Sequence, residues 1–122
     1  MADDRRVKRV ADSVKRAVSD IIEFKLKNPH KGFITITRVR MSPDLRIASI
    51  YYTVLGDEQQ RALSAQVLEH SRAFIRNELK PAIRSRWLPE LRFFYDEAQL
   101  HAEQIDDLLQ KIKDDSGSEE GQ

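Results

Sequence analysis

The stretch Phe33–Gly56, "FITITRVRMSPDLRIASIYYTVLG", carries the strongest fold signal in the 122-residue chain. Its first part, "FITITRVRM", alternates in polarity and is rich in β-branched side chains, a pattern that predicts a β-strand. Alternation places Ile34 and Ile36 on one face of this strand, whereas Phe33, Val39 and Met41 fall largely on the other face. Both faces are therefore expected to be partly apolar.

The segment "SPDL", Ser42–Leu45, is expected to reverse the chain. It puts proline at the second turn position and aspartate at the third, where both residues are favoured. The following segment, "RIASIYYTVLG", again has the composition of a strand and ends at Gly56. The stretch therefore predicts a β-hairpin.

Helices are predicted on both sides of this hairpin. In "RRVKRVADSVKRAVSDIIEFKLKNP" the apolar residues recur every three or four positions, so an amphipathic helix should end close to Lys27, before Pro29. After the hairpin, Asp57 can cap a helix over "EQQRALSAQVLEHS". We expect Ala62 and Leu68, together with Ala65, to face inward there.

A third strand, "LRFFYD", is predicted after Pro89. The segment "AEQIDDLLQKIK" predicts a last helix, whose apolar residues are Ile105, Leu108, Leu109 and Ile112. The order helix-strand-strand-helix-helix-strand indicates an α+β fold with helices covering one face of a small sheet. We expect one domain over residues 1–113, and an acidic, disordered tail over residues 114–122 that has nothing to bury.

Charge is divided unevenly along the chain. Residues 1–96 hold 19 Lys and Arg against 12 Asp and Glu, a net charge of +7, whereas residues 97–122 hold 2 against 8, a net charge of −6. A basic body of this kind is expected of a protein that binds polyanions, although ordinary surface charge is the alternative. The absence of cysteine excludes disulfides, and no apolar run is long enough to span a membrane, so we expect a cytoplasmic protein.

Catalytic chemistry has little support in the sequence. The histidines His30, His70 and His101 show no metal-ligand spacing, and the glycines form no phosphate-binding loop. We therefore expect no metal, no cofactor and no enzymatic activity.

The stretch "SRAFIRNELKPAIRSRWLPEL", residues 71–91, places four cations at steps of four. We call this row the cation ridge; its members are Arg72, Arg76, Lys80 and Arg84. Residues at this spacing share one helix face, but Pro81 should bend or restart the helix near Lys80. Because the ridge holds no apolar core atoms, replacing its first two arginines by alanine is expected to change stability by less than about 1 kcal/mol.

These segments resemble the bacterial ribosome-binding factor A family from about residue 5 to residue 109. The resemblance is carried by "RRVKRVADSV", "LKNPHKGFITITRVRMSPDLRIASIYYTVLGD", "SRAFIRNEL" and "LPELRFFYDEAQLHAEQIDDLL" in this order and spacing. It implies a type II KH-like fold with the same element order. It also implies a non-enzymatic monomer that binds the free 30S ribosomal subunit and 16S rRNA, assists late maturation and 5′-end processing of that rRNA, and supports growth in the cold. Other assembly factors are further partners that it implies.

The resemblance also implies a kink between two helices. The family has an Ala-x-Gly bend there, at the position of Ser71-Arg72-Ala73 in this chain. Alanine reaches positive φ only at a cost of about 1 kcal/mol, so the geometry of the bend is expected to differ.

For an RNA partner, Lys and Arg side chains that reach phosphates are the expected contacts. The cation ridge is the first candidate, with a solvated face as the alternative. The second candidate lies on the first helix, where nearby acids such as Asp12 are able to neutralise some of the charge; it comprises Arg5, Arg6, Arg9 and Arg16. The third candidate flanks the hairpin, where Asp44 is an alternative partner, and comprises Arg38, Arg40 and Arg46.

Two other classes of function fit the sequence. The acidic last helix and tail are suited to recruit a basic protein partner, which would make the chain a protein-interaction module. A small hydrolase built on Asp96, Glu97 and His101 is the third class, but their proximity in sequence does not show that they converge in space.

Overall fold

The computed structural model describes residues 4–83, 87–98, 105–106 and 108–112. Its elements are α1 (Asp4–Asp20), β1 (Phe33–Met41), β2 (Ile47–Leu55), α2 (Glu58–His70), α3 (Arg72–Glu78) and β3 (Glu90–Tyr95). The predicted α+β class and the predicted order of elements are therefore confirmed.

The three strands form one sheet in the order β1-β2-β3. β1 and β2 pair antiparallel, as the hairpin predicted, whereas β2 and β3 pair parallel. A parallel pair needs a long crossover connection, and α2 and α3 provide it. The helices cover one face of the sheet, where Ile36, Ile50 and Leu91 share a buried core with Val14 and Val18 of α1. We call the opposite face, which no described helix covers, the open face.

A β-bulge in β1 corrects the predicted alternation. The pairing with β2 shifts between Ile36 and Arg38, so Thr37 is the extra residue. Beyond the bulge, Met41 is buried and Val39 packs against the core, on the same side as Ile36. The prediction that they lie on the other face was wrong, because one inserted residue exchanges the two faces of everything that follows it.

The hydroxyl of Thr37 fixes the bulge. It donates a hydrogen bond of 2.5 Å to the carboxylate of Asp96, which is 8% exposed. The backbone N–H of Asp96 in turn donates to the carbonyl oxygen of Tyr52 at 2.8 Å. The end of β3 is thereby joined to the middle of both other strands.

The first helix ends where the sequence predicted. After Asp20 the chain makes a π-helical turn over Ile21–Lys25, and Leu26 is already extended. The ammonium group of Lys31 donates to the carbonyl oxygens of Ile22 at 2.7 Å and of Leu26 at 3.2 Å. Lys31 thus satisfies carbonyl groups that a helix end leaves without partners.

Polar contacts join α2 to the loop before β1. The predicted cap is confirmed, since the carboxylate of Asp57 accepts from the backbone N–H of Gln60 at 2.9 Å. The hydroxyl of Ser64, which is fully buried, donates to the carbonyl oxygen of Lys31 at 2.8 Å. The inward face of α2 therefore holds Ser64, Val67 and Leu68. Ala62 is exposed and Ala65 is half-buried, so the prediction that Ala62 faces inward was wrong.

The turn between β1 and β2 is held by its own side chains. The hydroxyl of Ser42 donates to the carboxylate of Asp44 at 2.6 Å, and the backbone N–H of Arg46 donates to the same oxygen at 3.1 Å. These hydrogen bonds, that of Ser42 above all, hold the pKa of the Asp44 carboxyl below its ordinary value. Leu45 adopts a positive φ of 63° while its side chain is buried.

The last described residues, 105–106 and 108–112, are helical, in agreement with the predicted last helix. Their apolar side chains are exposed. The predicted disordered tail, 114–122, and the domain boundary at residue 113 lie outside the described residues. No helix in the described part of the chain is long and apolar enough to cross a membrane.

Candidate functional site

The cation ridge is broken, as Pro81 predicted. α3 ends at Glu78, and a short 3₁₀ turn follows over Lys80–Ala82. Arg72 and Arg76 therefore share one helix, and Lys80 begins the next turn. Arg84 lies outside the described residues.

The kink between α2 and α3 is at Ser71. This residue has φ −97° and ψ 5°, which any amino acid adopts, and Arg72 and Ala73 already belong to α3. The carbonyl oxygen of Ser71 accepts a hydrogen bond of 2.9 Å from the backbone N–H of Ile75. The bend thus needs no positive φ, and the cost expected for alanine at this kink does not arise.

The two arginines of α3 are bound by the chain itself. Arg72 forms an ion pair with Glu69, one helical turn earlier. The guanidinium of Arg76 donates to the carbonyl oxygens of Pro89 and of Leu88, both at 2.9 Å. Arg76 thereby fixes the two residues that precede β3, because Pro89 is followed directly by Glu90, the first residue of that strand. The expectation that its loss costs little stability does not apply to such a residue.

The cations of α1 are arranged differently. Arg6, Arg9 and Arg16 are exposed and have no acidic partner within 4 Å among the described residues. Asp12 therefore does not form the neutralising ion pair that the sequence allowed. Arg5 is exposed as well.

The beginning of α1 lies beside the 3₁₀ turn. Arg6 and Arg9 line a hollow of 390 Å³ whose apolar side is formed by Leu45 and Ile83. This hollow brings the α1 cations close to the segment that contains Lys80, so two of the three predicted groups approach each other here.

Two arginines of the third group, Arg38 and Arg40, point away from the helices. The bulge at Thr37 turns Arg38 and Arg40 to the open face of β1, where both are exposed. The guanidinium carbon of Arg38 lies 4.1 Å from the centre of the Tyr51 ring on β2. Neither arginine has an acidic partner in the described part of the chain.

Arg46 lies at the end of the hairpin, in contact with an aromatic ring. Its guanidinium carbon lies 5.0 Å from the centre of the Trp87 ring. The carboxylate of Asp44 accepts from the backbone N–H of Arg46 and forms no ion pair with its guanidinium. The alternative that Asp44 accounts for this cation is therefore not what the structure shows.

Sequence reasoning missed two residues on the open face, Tyr51 and Arg92, and for Phe94 it favoured a core position over stacking on bases. Tyr51 faces Arg38 on one side and Phe94 on the other. Arg92 is exposed, and Phe94 is 44% exposed. Alternation within β2 and β3 was a sufficient signal for their direction, but their alignment with β1 depends on the bulge.

Of the three residues that suggested a hydrolase, the structure gives one, Asp96, a role in the fold. Asp96 is buried and accepts a hydrogen bond from Thr37, whereas Glu97 is exposed and His101 lies outside the described residues.

Burial raises the pKa of the Tyr52 phenol, with smaller contributions from Glu69 and Tyr95, so this phenol stays neutral in the sheet. No group of three or more His, Cys, Asp or Glu side chains is placed to hold a metal ion within the described ranges.

The fold and its surface define a class of protein: a small two-layer α+β domain with exposed arginines on both its helical and its open side. The family model of ribosome-binding factor A matches residues 6–109. The chain therefore belongs to the ribosome-binding factor A family, as the sequence motifs indicated.

Individual relatives agree with this assignment. A ribosome-binding factor A of Macrococcus caseolyticus (strain JCSC5402) is 40% identical over 110 residues, which cover 90% of this chain and 96% of that protein. The crystal structure of ribosome-binding factor A from Thermus thermophilus is 25% identical, with a TM-score of 0.64, and the match covers 73% of this chain and 94% of that one.

A second Thermus thermophilus structure describes a relative in a 30S complex. It is a homology model of ribosome binding factor A fitted into the cryo-electron microscopy map of a 30S complex with that factor. It is 26% identical to this chain, with a TM-score of 0.59, and the match covers 71% of this chain and 91% of that one.

Proposed function

We propose that this protein is a non-enzymatic assembly factor that binds the free 30S ribosomal subunit and its 16S rRNA. Family membership and the 30S complex of the Thermus thermophilus relative support this proposal. Assistance with late maturation and 5′-end processing of 16S rRNA, and with growth in the cold, belongs to the same proposal. We further propose that it acts in the cytoplasm as a monomer.

The observation that carries the proposal is the set of exposed arginines without acidic partners among the described residues. Their positions are Arg6, Arg9 and Arg16 on α1, and Arg38 and Arg40 on β1. An arginine without an acidic partner is available to a phosphate, whereas an arginine in an ion pair must first lose its partner. The net charge of +7 over residues 1–96 attracts a polyanion as a whole.

Such an interface is expected to read shape and charge rather than base sequence, because phosphate contacts fix position but carry no sequence information. The role of Asp96 in holding the bulge supports a non-enzymatic function. The carboxylate of Asp96 is engaged in a hydrogen bond rather than exposed in an open cleft.

The test is co-sedimentation of the protein with free 30S subunits and with full ribosomes. We expect binding to the free subunit, with an affinity that falls steeply between about 50 and 200 mM salt. Affinity that does not change over this range would exclude an electrostatic interface.

A matched pair of variants locates the interface. Arg9→Gln should weaken binding and lower the slope of log affinity against log salt by about one unit, since one phosphate contact is lost. Lys27→Gln removes the same charge from an exposed position outside the predicted groups and should leave the slope unchanged. Equal effects of both variants would mean that net charge, and not α1, decides binding.

A protein partner is the second candidate, favoured by the exposed apolar side chains of residues 105–112. Under this hypothesis Leu109→Ser would weaken subunit binding while the salt slope stayed the same. Unchanged binding of Leu109→Ser would remove this candidate.

A further inference from the structure

The open face of the sheet carries two aromatic rings and an arginine in one row. Arg38, Tyr51 and Phe94 are directly paired neighbours across β1, β2 and β3. The ring centres of Tyr51 and Phe94 are 5.5 Å apart, with an angle of 30° between the ring planes. The guanidinium carbon of Arg38 lies 4.1 Å from the Tyr51 ring centre. We call this row the sheet platform.

A second row of the same face is cationic. Arg40, Ser49 and Arg92 are paired neighbours across the three strands, two positions away from the sheet platform. Two residues along a strand span about 7 Å, so long arginine side chains in this row reach beside a group placed on the platform. The two rows thus offer flat apolar surface and positive charge side by side.

Little acidic charge opposes these arginines. Among the described residues of β1, β2 and β3 that alternation directs to the open face, Glu90 is the one acid, and it lies 3.4 Å from Arg92. Both side chains of this ion pair are about half exposed, at 49% and 56%, so the pair is weak and a phosphate can replace the carboxylate. A polyanion therefore complements this face.

Phe94 supplies the second argument. A phenylalanine on a strand is ordinarily covered, yet 44% of Phe94 is exposed, and no described helix lies over it. The hydroxyl groups of Thr35, Ser49 and Thr53 surround the two rings, and the other exposed apolar side chains of this face, Phe33 and Leu55, lie beyond the Thr35–Thr53 pair at its far end. Flat rings beside arginines match nucleobases joined by phosphates.

We propose that the sheet platform binds an unpaired segment of RNA by stacking its bases on Phe94 and Tyr51, while Arg40 and Arg92 contact the adjoining phosphates. The proposal rests on the function proposed above and names the form of RNA that this face takes. Bases offer their faces only where they are unpaired, so duplex RNA cannot use the rings. The bulge at Thr37 is what brings Arg38 and Arg40 to this face.

The experiment measures binding of the full chain to a labelled single-stranded RNA of about ten nucleotides, and to the duplex of the same sequence, by fluorescence anisotropy. Phe94→Leu keeps an apolar side chain but removes the ring. We expect it to weaken single-strand binding by about tenfold, the usual effect of losing one stacked base, without changing the salt slope. Phe94→Trp keeps an aromatic ring at this position and should bind single-stranded RNA like the unchanged protein.

The matched control is Phe24→Leu. Phe24 is 63% exposed but lies in the π-helical turn after α1, away from the sheet. This variant should bind single-stranded RNA like the unchanged protein. Circular dichroism and thermal unfolding of both variants establish that the fold is retained.

Each other outcome overturns the proposal in a distinguishable way. If Phe94→Leu binds single-stranded RNA and 30S subunits like the unchanged protein, the platform is wrong and the proposed function stands. If the unchanged protein binds neither RNA nor subunits, the proposed function fails as well. If it binds subunits but no single-stranded RNA, and Phe94→Leu loses subunit binding, the occupant of the face is a ribosomal protein.

Discussion

The arginines of α3 and those of β1 resemble each other in sequence and differ in the structure. Arg72 and Arg76 stand at helical spacing in a basic stretch, yet both are held by acceptors of the same chain. Arg38 and Arg40 stand in a strand that alternates imperfectly, yet both project from the open face without an acidic partner in the described part of the chain.

This difference shows that the spacing of cations in the sequence places them on a surface. It does not decide whether they are free to bind a phosphate. Availability depends on the acceptors that the fold brings near. The acceptors of Arg76 lie 12 and 13 residues further along the chain. Nothing in the sequence of that segment indicates that it packs against α3. A regular row of cations is therefore weaker evidence for a phosphate site than its regularity indicates.

The largest effect is expected at Arg76. Arg76→Ala should lower the free energy of unfolding by about 2 kcal/mol, because two backbone carbonyls lose charge-assisted donors at the entry to β3. Urea unfolding at neutral pH measures this difference.

Arg72→Ala is the matched control for that prediction. Its exposed ion pair with Glu69 should contribute less than about 0.5 kcal/mol. If both variants have the same free energy of unfolding, the hydrogen bonds of Arg76 contribute no more to stability than the exposed ion pair of Arg72.

Much of the fold followed from the sequence, since period-two and period-3.6 patterns, Pro81 and the Asp57 cap each have a local physical cause. The strands, the helices, their order and the break near Lys80 were predicted on those grounds. The inward face of α2 was predicted in part: Leu68 is buried as expected, but Ser64 is buried as well, through a hydrogen bond to Lys31, 33 residues earlier.

The partners of the candidate cations were less predictable, for the same reason. The sequence identified the cations but ranked Arg76 above Arg38, because neither the carbonyl groups near Pro89 nor the bulge at Thr37 is visible in a single segment. The bulge depends on Asp96, which lies 59 residues after Thr37. Contacts of that separation in sequence appear only once the strands have been paired.

The next effect concerns this bulge. Thr37→Val keeps the β-branched shape but removes the hydroxyl, which leaves the buried Asp96 carboxylate without one donor. The free energy of unfolding should fall by about 1.5 kcal/mol. Thr35→Val, at an exposed position of the same strand, should change it by less than about 0.5 kcal/mol. Equal stability of the two variants would show that the hydroxyl does not hold the bulge.

A smaller effect is expected for Arg38 and Tyr51. A double-mutant cycle with Arg38→Ala and Tyr51→Leu should give a coupling free energy of about 0.5 to 1 kcal/mol, as for an exposed cation beside a ring. The same cycle with Arg40→Ala in place of Arg38→Ala should give a coupling near zero. Coupling of similar size in both cycles would mean that general charge, and not the contact of 4.1 Å, links the two positions.

The smallest effect is expected at the tip of the hairpin that presents these arginines. The hydroxyl of Ser42 and the backbone N–H of Arg46 lower the pKa of Asp44 below its ordinary value of 3.8. The folded state thus binds this proton more weakly than the unfolded state does. The stabilisation is therefore present above about pH 4 and is lost as the pH falls through the lowered pKa.

Asp44→Asn tests this sign, because its amide oxygen still accepts hydrogen bonds but carries no charge. The variant should be slightly less stable than the unchanged protein at about pH 6, and the difference should shrink as the pH falls below about 4, in urea unfolding over this range. The effect is small because Asp44 is exposed to water, in contrast to the carboxylate of Asp96. A stability difference that grows on acidification would contradict the lowered pKa. The turn would then be held by Pro43 and by the hydrogen bond from the backbone N–H of Ser42 to the carbonyl oxygen of Ile47 rather than by the carboxylate.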